Sequence, residues 1–133
     1  MTPRPGRLAL GTRFRGAADR GASQSLQWAL LTPVLILAII GMIQYAVILQ
    51  AQQAASTAAM MGAEAQARHG AKPGAGTDVA STSAEEAGLT AVSATTQYHG
   101  GLVTVTVTGR ANLFLDLGQG RITRRATMPL ERP

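Results

Sequence analysis

The most regular hydrophobic pattern in this sequence is an uninterrupted apolar run near its N-terminus. From Leu26 to Leu49 it reads LQWALLTPVLILAIIGMIQYAVIL and contains no charged residue. As an α-helix these 24 residues would extend about 36 Å, whereas a bilayer core needs about 20 apolar residues. Gln27 and Trp28 near one end and Gln44 and Tyr45 near the other are side chains that favour a membrane interface. The run therefore predicts one transmembrane helix.

Helical character continues beyond this run. Residues 50–68 are rich in Ala, Gln and Met and contain no proline, which favours a helix. Small residues recur at helical spacing along one face: Ala51, Ala54, Ala55, Ala58, Met61, Gly62 and Ala65. We predict one continuous helix from about Ser23 to Arg68, with its first half in lipid. The small-residue face is compatible both with packing on the chain's own domain and with a seam between molecules.

The remainder of the chain changes from helical to strand patterns. The breaker-rich segment His69–Gly76 ends the long helix, and Thr77 or Asp78 could cap a second helix from Val79 to about Ala91. The alternation of Val and Thr from Leu102 to Thr108 predicts a strand with its valines on one face. Residues 93–98 and 121–130 are its predicted partners, with a loop at 112–120 and Pro129 restricting the last strand to an edge.

These elements define an α+β protein in four parts. We predict a basic, disordered leader (1–21), a transmembrane helix (22–49), an Ala/Gln-rich helical extension (50–68) and a small extracytoplasmic α+β domain (69–133). The short helix and the small antiparallel sheet should pack on the helical extension. So small a domain is marginally stable alone, and the absence of cysteine excludes disulfide support.

The distribution of charge predicts how these parts are oriented across the membrane. Residues 1–21 contain five arginines and one aspartate, and residues 21–63 contain no charged side chain. Because basic residues beside an apolar span remain on the cytoplasmic side, Arg13, Arg15 and Arg20 should keep the N-terminus inside. The protein should then lie in the plasma membrane as a single-pass protein with its C-terminal domain outside. The basic excess adjoins an apolar segment, so we expect a lipid bilayer as partner and no nucleic acid.

Two alternatives concern the apolar run itself. A cleaved secretory signal usually has an apolar region of 7–15 residues, which is shorter than this run, although an Ala-rich cleavage site after Gln50 is conceivable. The run could also be a permanent signal anchor.

Candidate catalytic groups are few and scattered. His69 and His99 each adjoin a glycine in a predicted loop, and neither has the partner spacing of a zinc site. Glu85 and Glu86 are adjacent on a helix and diverge, so they cannot act together as an acid/base pair. We therefore expect no catalytic residue, metal, cofactor or small-molecule substrate.

The junction from Arg20 to Pro33, RGASQSLQWALLTP, resembles the start of TadE-like proteins. These are minor pilin-like components of bacterial Tad/Flp (tight adherence) pilus systems. Their pattern is a basic leader ending in Arg-Gly, then small residues, a Glu, an ALVLP-like segment and a membrane helix that continues into an Ala/Gln-rich extension. Ala29–Pro33 matches the ALVLP-like segment and Tyr45–Met61 matches the extension. Residues 122–131 look like the family's final strand.

This resemblance implies a pilin-like fold and a structural role. The chain would be a minor pseudopilin in assembly of a Tad/Flp pilus or a related type IV-like secretion apparatus that serves cell adhesion. Its partners would be other pilin-like subunits and Tad secretion components. Ala38, Gly41 and Ala46 would allow close helix packing in lipid, and Ala51, Ala54, Ala55 and Ala58 would supply a second packing surface. The alternative is a signal-anchored extracellular binding module that is neither processed nor assembled.

The resemblance also implies processing by a prepilin peptidase after a glycine, for which Gly21 is the candidate. In the family a Glu at the fifth mature position assists processing. Here Gln27 stands at the corresponding place, six residues before Pro33, and is one residue farther from Gly21 than is usual. Cleavage after Ala22 would make Gln27 the fifth mature residue. The alternative is that the leader is kept.

Overall fold

The computed structural model describes residues 1–2 and 15–132, with side chains described from residue 21 onward. Two helices precede three strands. Helix α1 spans Arg15–Ala67 and α2 spans Ala75–Glu86; strands β1, β2 and β3 span Thr90–His99, Leu102–Arg110 and Arg121–Pro129. The predicted α+β class, with a long apolar helix, a short helix and a three-stranded antiparallel sheet, is confirmed.

Helix α1 begins earlier than predicted. It starts at Arg15, eight positions before Ser23 (23 minus 15), so residues 15–21 of the predicted disordered leader are helical. Residues 15–23 contain no proline and three alanines, and alanine has the highest helix propensity. The rest of the predicted disordered leader lies outside the described residues, apart from its first two. The chain divides into two compact units, residues 1–40 and 41–133, and the boundary falls within α1.

The N-terminus of α2 is capped by a side chain from α1, contrary to the prediction that Thr77 or Asp78 caps it. Helix α2 begins at Ala75, and Gly74 at its N-cap provides no side-chain hydrogen bond. The backbone N–H of Gly76 instead donates to Gln66 Oε1 over 2.9 Å. Gln66 is only 4% exposed, and its Nε2 donates to the Lys72 carbonyl over 3.2 Å. A buried helix-end N–H thus obtains the partner that it requires.

The C-terminus of α2 also differs from the prediction, which extended the helix to Ala91. Gly88 adopts a left-handed conformation with φ of 90°. Its N–H donates to the Glu85 carbonyl, and the Leu89 N–H donates to the Ala84 carbonyl. These two bonds form a Schellman motif, which ends a helix at a left-handed glycine. Residues 90 and 91 belong to β1 instead.

The sheet is a meander in the order β1-β2-β3. Ala94, Thr96 and Tyr98 of β1 pair with Val107, Val105 and Val103 of β2. On the opposite side of β2, Val107, Val105 and Val103 pair with Arg124, Ala126 and Met128 of β3. The three valines are fully buried, whereas the threonines between them are half-buried. The predicted alternation therefore places the valines against the helices.

The core is built from small side chains. Ala55, Ala59 and Ala63 of α1 are fully buried together with Ala80 and Ala84 of α2, and they share one cluster with Val105 and Val107. The closest approach occurs at two glycines. A Cβ atom on Gly62 would lie 2.5 Å from the Gly76 carbonyl oxygen, and one on Gly76 would lie 2.6 Å from the Gly62 carbonyl oxygen. Glycine at both positions lets the backbones of α1 and α2 come into contact.

Candidate functional site: the uncovered surface of the long helix

The apolar half of α1 has side chains that the rest of the chain leaves uncovered. Leu30, Val34, Leu35 and Leu37 each expose more than 60% of their surface. Within Gly21–Ala67, only 6% of the most apolar 18-residue window is buried. A core helix of a soluble protein would be mostly buried, so this segment has the length and composition of a membrane span without core burial. A signal sequence near the N-terminus satisfies the same criteria.

Pro33 lies inside α1 and does not end it. The hydroxyl of the preceding residue, Thr32, donates to the Trp28 carbonyl over 2.7 Å. Threonine hydroxyls commonly bond to the carbonyl four residues back, and such local bonds help lipid-embedded helices tolerate proline. Thr32 therefore keeps its hydroxyl satisfied without an external partner.

The small residues predicted to permit close helix packing in lipid are accessible. Ala38, Gly41 and Ala46 are all exposed. A Cβ atom added to Gly41 would meet nothing within 4 Å. The absence of a side chain at Gly41 is therefore not required by any contact among the described residues. Another helix could approach α1 closely at this position.

The helical extension after Leu49 has two different faces. Ala51, Ala55 and Ala58 are buried in the domain's own core and Ala54 packs half-buried against it. The sequence left open whether this small-residue face packs on the chain's own domain or forms a seam between molecules. In the structure these four alanines pack on the chain's own domain. The opposite face is exposed and contains Gln53, Thr57, Met60, Met61 and Glu64. Met60 and Met61 are about half exposed, at 50% and 48%, and methionine adapts readily to different partners.

The candidate processing residues lie on the exposed part of α1. Gly21, Ala22 and Gln27 are all exposed, and a Cβ atom on Gly21 would meet nothing within 4 Å. Arg13 lies outside the described residues. Arg15 and Arg20 belong to α1, but their side chains also lie outside the described part.

The titratable side chains in the described part of the chain do not form the cluster that a metal site requires. Among the side chains described from residue 21 to 132, no group of three or more His, Cys, Asp and Glu residues is placed to hold a metal ion. The backbone N–H of His69 donates to Glu131 Oε2 over 3.3 Å, and the Glu131 N–H donates to the Ala67 carbonyl over 2.9 Å. These bonds join the C-terminal segment to the end of α1.

Comparison with known proteins bears on the long helix. The profile of the family described as TadE-like protein matches residues 22–64. This segment is similar to TadE-like proteins. The match lies wholly within α1 and includes both the apolar run and most of the extension, so the resemblance predicted from residues 20–68 is confirmed over this range. Neither the curated proteins nor the solved structures gave a match.

The sequence did not reveal the roles that two residues of α1, Gly62 and Gln66, have in packing. Gly62 was placed on the small-residue face, but its contact with Gly76 requires the tertiary structure. Gln66 is a polar residue between Ala65 and Ala67, where a surface position would be the ordinary expectation. Its position between two alanines is a weak signal that its amide serves an internal partner.

Proposed function

We propose that this chain is a TadE-like minor pilin or pseudopilin that takes part in assembly of a Tad/Flp-type pilus or a related secretion apparatus. One observation carries the proposal. The TadE-like segment, residues 22–64, contains the apolar run whose side chains the chain leaves uncovered. A helix that exposes such side chains requires lipid or other apolar helices around it.

The proposed mechanism is association through helices in the membrane. In lipid, helix association depends on close van der Waals packing, which small residues permit. Gly41 supports this because its open surface serves no contact within the described chain. Outside the membrane, the exposed face around Met60 and Met61 would supply a separate contact. The buried alanines of the extension hold the domain on the helix and are not part of this proposed surface.

The orientation and the partners also belong to the proposal. The leader arginines would hold the N-terminus in the cytoplasm, with the domain of residues 69–133 outside. The partners would be other pilin-like subunits, Tad secretion components, the lipid bilayer and, if the leader is cleaved, a prepilin peptidase. The chain would act by assembly and would have no catalytic activity or cofactor of its own.

The alternative function is a membrane-anchored binding module that is neither processed nor assembled. The mass of the protein extracted from its native membrane separates the two. The proposal predicts loss of the leader, roughly 2 kDa for about 21 residues, and a Gly21→Trp variant that keeps its full mass. An intact wild-type mass would favour the anchor.

Association is tested independently with a matched pair of variants. Gly41→Leu adds a side chain where nothing in the described chain opposes it, so the domain should fold normally. It should nevertheless reduce copurification of pilin-like and Tad components about tenfold, because a coupling of 1–2 kcal/mol is typical of such contacts. Met42→Leu, at a neighbouring exposed position, should leave copurification unchanged. Equal copurification by both variants would contradict association at Gly41.

A further inference from the structure

The loop between β2 and β3 exposes several large apolar side chains. The Ala111 N–H donates to the Gly120 carbonyl over 2.8 Å and closes the loop at its base. Within it, Phe114 and Leu117 are 86% and 82% exposed, and Leu115 is 53% exposed. Three large apolar side chains within four positions therefore face away from the protein, which is uncommon for a loop in contact with water alone.

The one acidic residue of this loop, Asp116, bonds to the loop's own backbone and to Arg110. Asp116 Oδ1 accepts hydrogen bonds from the N–H groups of Gly118 and Gly120, over 2.9 Å and 3.4 Å. Asp116 Oδ2 accepts one from Arg110 over 3.2 Å. The carboxylate thus stabilises the turn and is partly neutralised, while the apolar side chains point outward. Such a preorganised loop loses little conformational entropy when its apolar side chains are buried by something else.

The loop lies at one particular end of the domain. Strand β3 runs alongside the extension of α1. Arg124, the fourth residue of β3, donates to Gln52 Oε1 over 2.6 Å, and the N–H of Glu131, beyond the end of β3, donates to the Ala67 carbonyl. Gln119 and Arg121 also share a surface pocket with Ile48 and Gln52. The loop is therefore beside the last turn of the apolar run, which ends at Leu49. All of these residues belong to one compact unit.

Basic side chains surround this end on the β3 side. Arg110 and Arg121 are paired across β2 and β3, and Arg124 lies beside Leu49 and Gln52. Asp116 offsets only one of these charges. The carboxylates Glu85 and Glu86 end α2, which packs on β1 and β2, and Thr90 at the start of β1 pairs with Arg110. Arginines next to exposed Phe and Leu are the composition of segments that bind the headgroup region of anionic bilayers.

We propose that Phe114, Leu115 and Leu117 insert into the interface of the same bilayer that α1 spans, with Arg110, Arg121 and Arg124 at the level of the lipid phosphates. This inference rests on the proposed membrane anchoring of α1. The loop is a second attachment, which fixes the rotation and tilt of the domain against the membrane. A protein partner could also cover the loop, but the continuity with the apolar run and the surrounding arginines favour lipid.

Fluorescence quenching in the full-length protein tests this proposal, because the chain has no cysteine and single cysteines can be introduced. An NBD probe is attached to Gln119→Cys beside the loop, to Leu35→Cys in the apolar run, or to Gln97→Cys at the other end of the sheet. Each protein is reconstituted at low protein-to-lipid ratio into phosphatidylcholine/phosphatidylglycerol vesicles that carry a nitroxide quencher at acyl carbon 5 or 12.

The proposal predicts shallow quenching at residue 119, deep quenching at residue 35 and little quenching at residue 97. Phe114→Ser with Leu117→Ser should reduce quenching at residue 119 at least about twofold, since apolar area drives insertion. These side chains are exposed, so circular dichroism should remain unchanged. Arg121→Gln should reduce quenching in the anionic vesicles and not in vesicles of phosphatidylcholine alone.

The outcomes separate this inference from the membrane span. Deep quenching at residue 35 without quenching at residue 119 would overturn the loop insertion and leave the span intact. A blue-shifted probe at residue 119 that lipid quenchers do not reach would indicate a protein partner and would equally overturn it. Absence of quenching at both positions would overturn the membrane anchoring as well.

Discussion

At the scale of single residues, Gly62 and Gly41 of α1 have different physical roles. Gly62 faces α2 at a distance that excludes a side chain, with the Gly76 carbonyl oxygen 2.5 Å and Ala80 Cβ 2.7 Å from a Cβ placed on it. Gly41 has nothing within 4 Å of the same atom. The first glycine is required by the fold, and the second is available to a partner.

This contrast gives a prediction with an internal control. Gly62→Ala should lower the free energy of unfolding by about 1–3 kcal/mol, because α2 must move away from α1 to accept one methyl group. Gly41→Ala should not lower it and should gain up to about 1 kcal/mol of helix propensity. Thermal and denaturant unfolding of the detergent-solubilised protein measures both. Equal stability of the two variants would contradict the close crossing.

At the scale of elements, regular sequence patterns predicted the helices and strands, but the contacts that end or cap these elements could not be predicted. The alternation of Val and Thr predicted β2, which extends from Leu102 to Arg110, and the apolar run predicted the first half of α1. The Schellman end of α2 was missed because Gly88 lies in a segment that otherwise favours helix. The Gln66 cap was missed because it joins residues ten positions apart, which only the packing of α1 on α2 brings together.

The same reasoning applies to the surface predicted to join molecules. A row of alanines on a helix permits close approach of any backbone, and the sequence does not specify whether that backbone belongs to the same chain. In the structure the buried alanines of the extension face α2 and the sheet. The sequence placed Met61 on this small-residue face, but in the structure Met61 is exposed on the other side of the helix together with Met60, which was not singled out as a contact residue.

One strand residue departs from the rule that polar side chains face outward. Thr96 of β1 pairs with the buried Val105, and its hydroxyl is buried with no hydrogen-bond partner among the described residues. Thr96→Val replaces this hydroxyl by a methyl group of similar size and should raise the free energy of unfolding by about 1 kcal/mol. Thr95→Val on the exposed face should change it by less than about 0.5 kcal/mol. Denaturant unfolding in which Thr96→Val is destabilised would disprove the burial of this hydroxyl.

At the scale of the whole molecule, the distribution of charge predicts which end crosses the membrane. Five arginines precede the apolar run and none lies within it. Gln97→Cys, exposed on β1 in a chain without native cysteine, should react with a membrane-impermeant maleimide in intact spheroplasts. Replacing Arg13, Arg15 and Arg20 by Gln should lower that labelled fraction about twofold or more, because the signal that retains the N-terminus inside is weakened.

The matched control removes the same number of arginines from the outer domain. Arg121, Arg125 and Arg132 replaced by Gln should leave the labelled fraction unchanged, since charges far from the start of the span contribute little to orientation. If Gln97→Cys were labelled only after lysis, the domain would lie on the cytoplasmic side and the proposed orientation would be wrong. Equal labelling of the two triple variants would show that the leader arginines do not determine it. Because the assay reports the side on which the domain lies, it decides whether α1 can present its exposed extension to subunits outside the membrane.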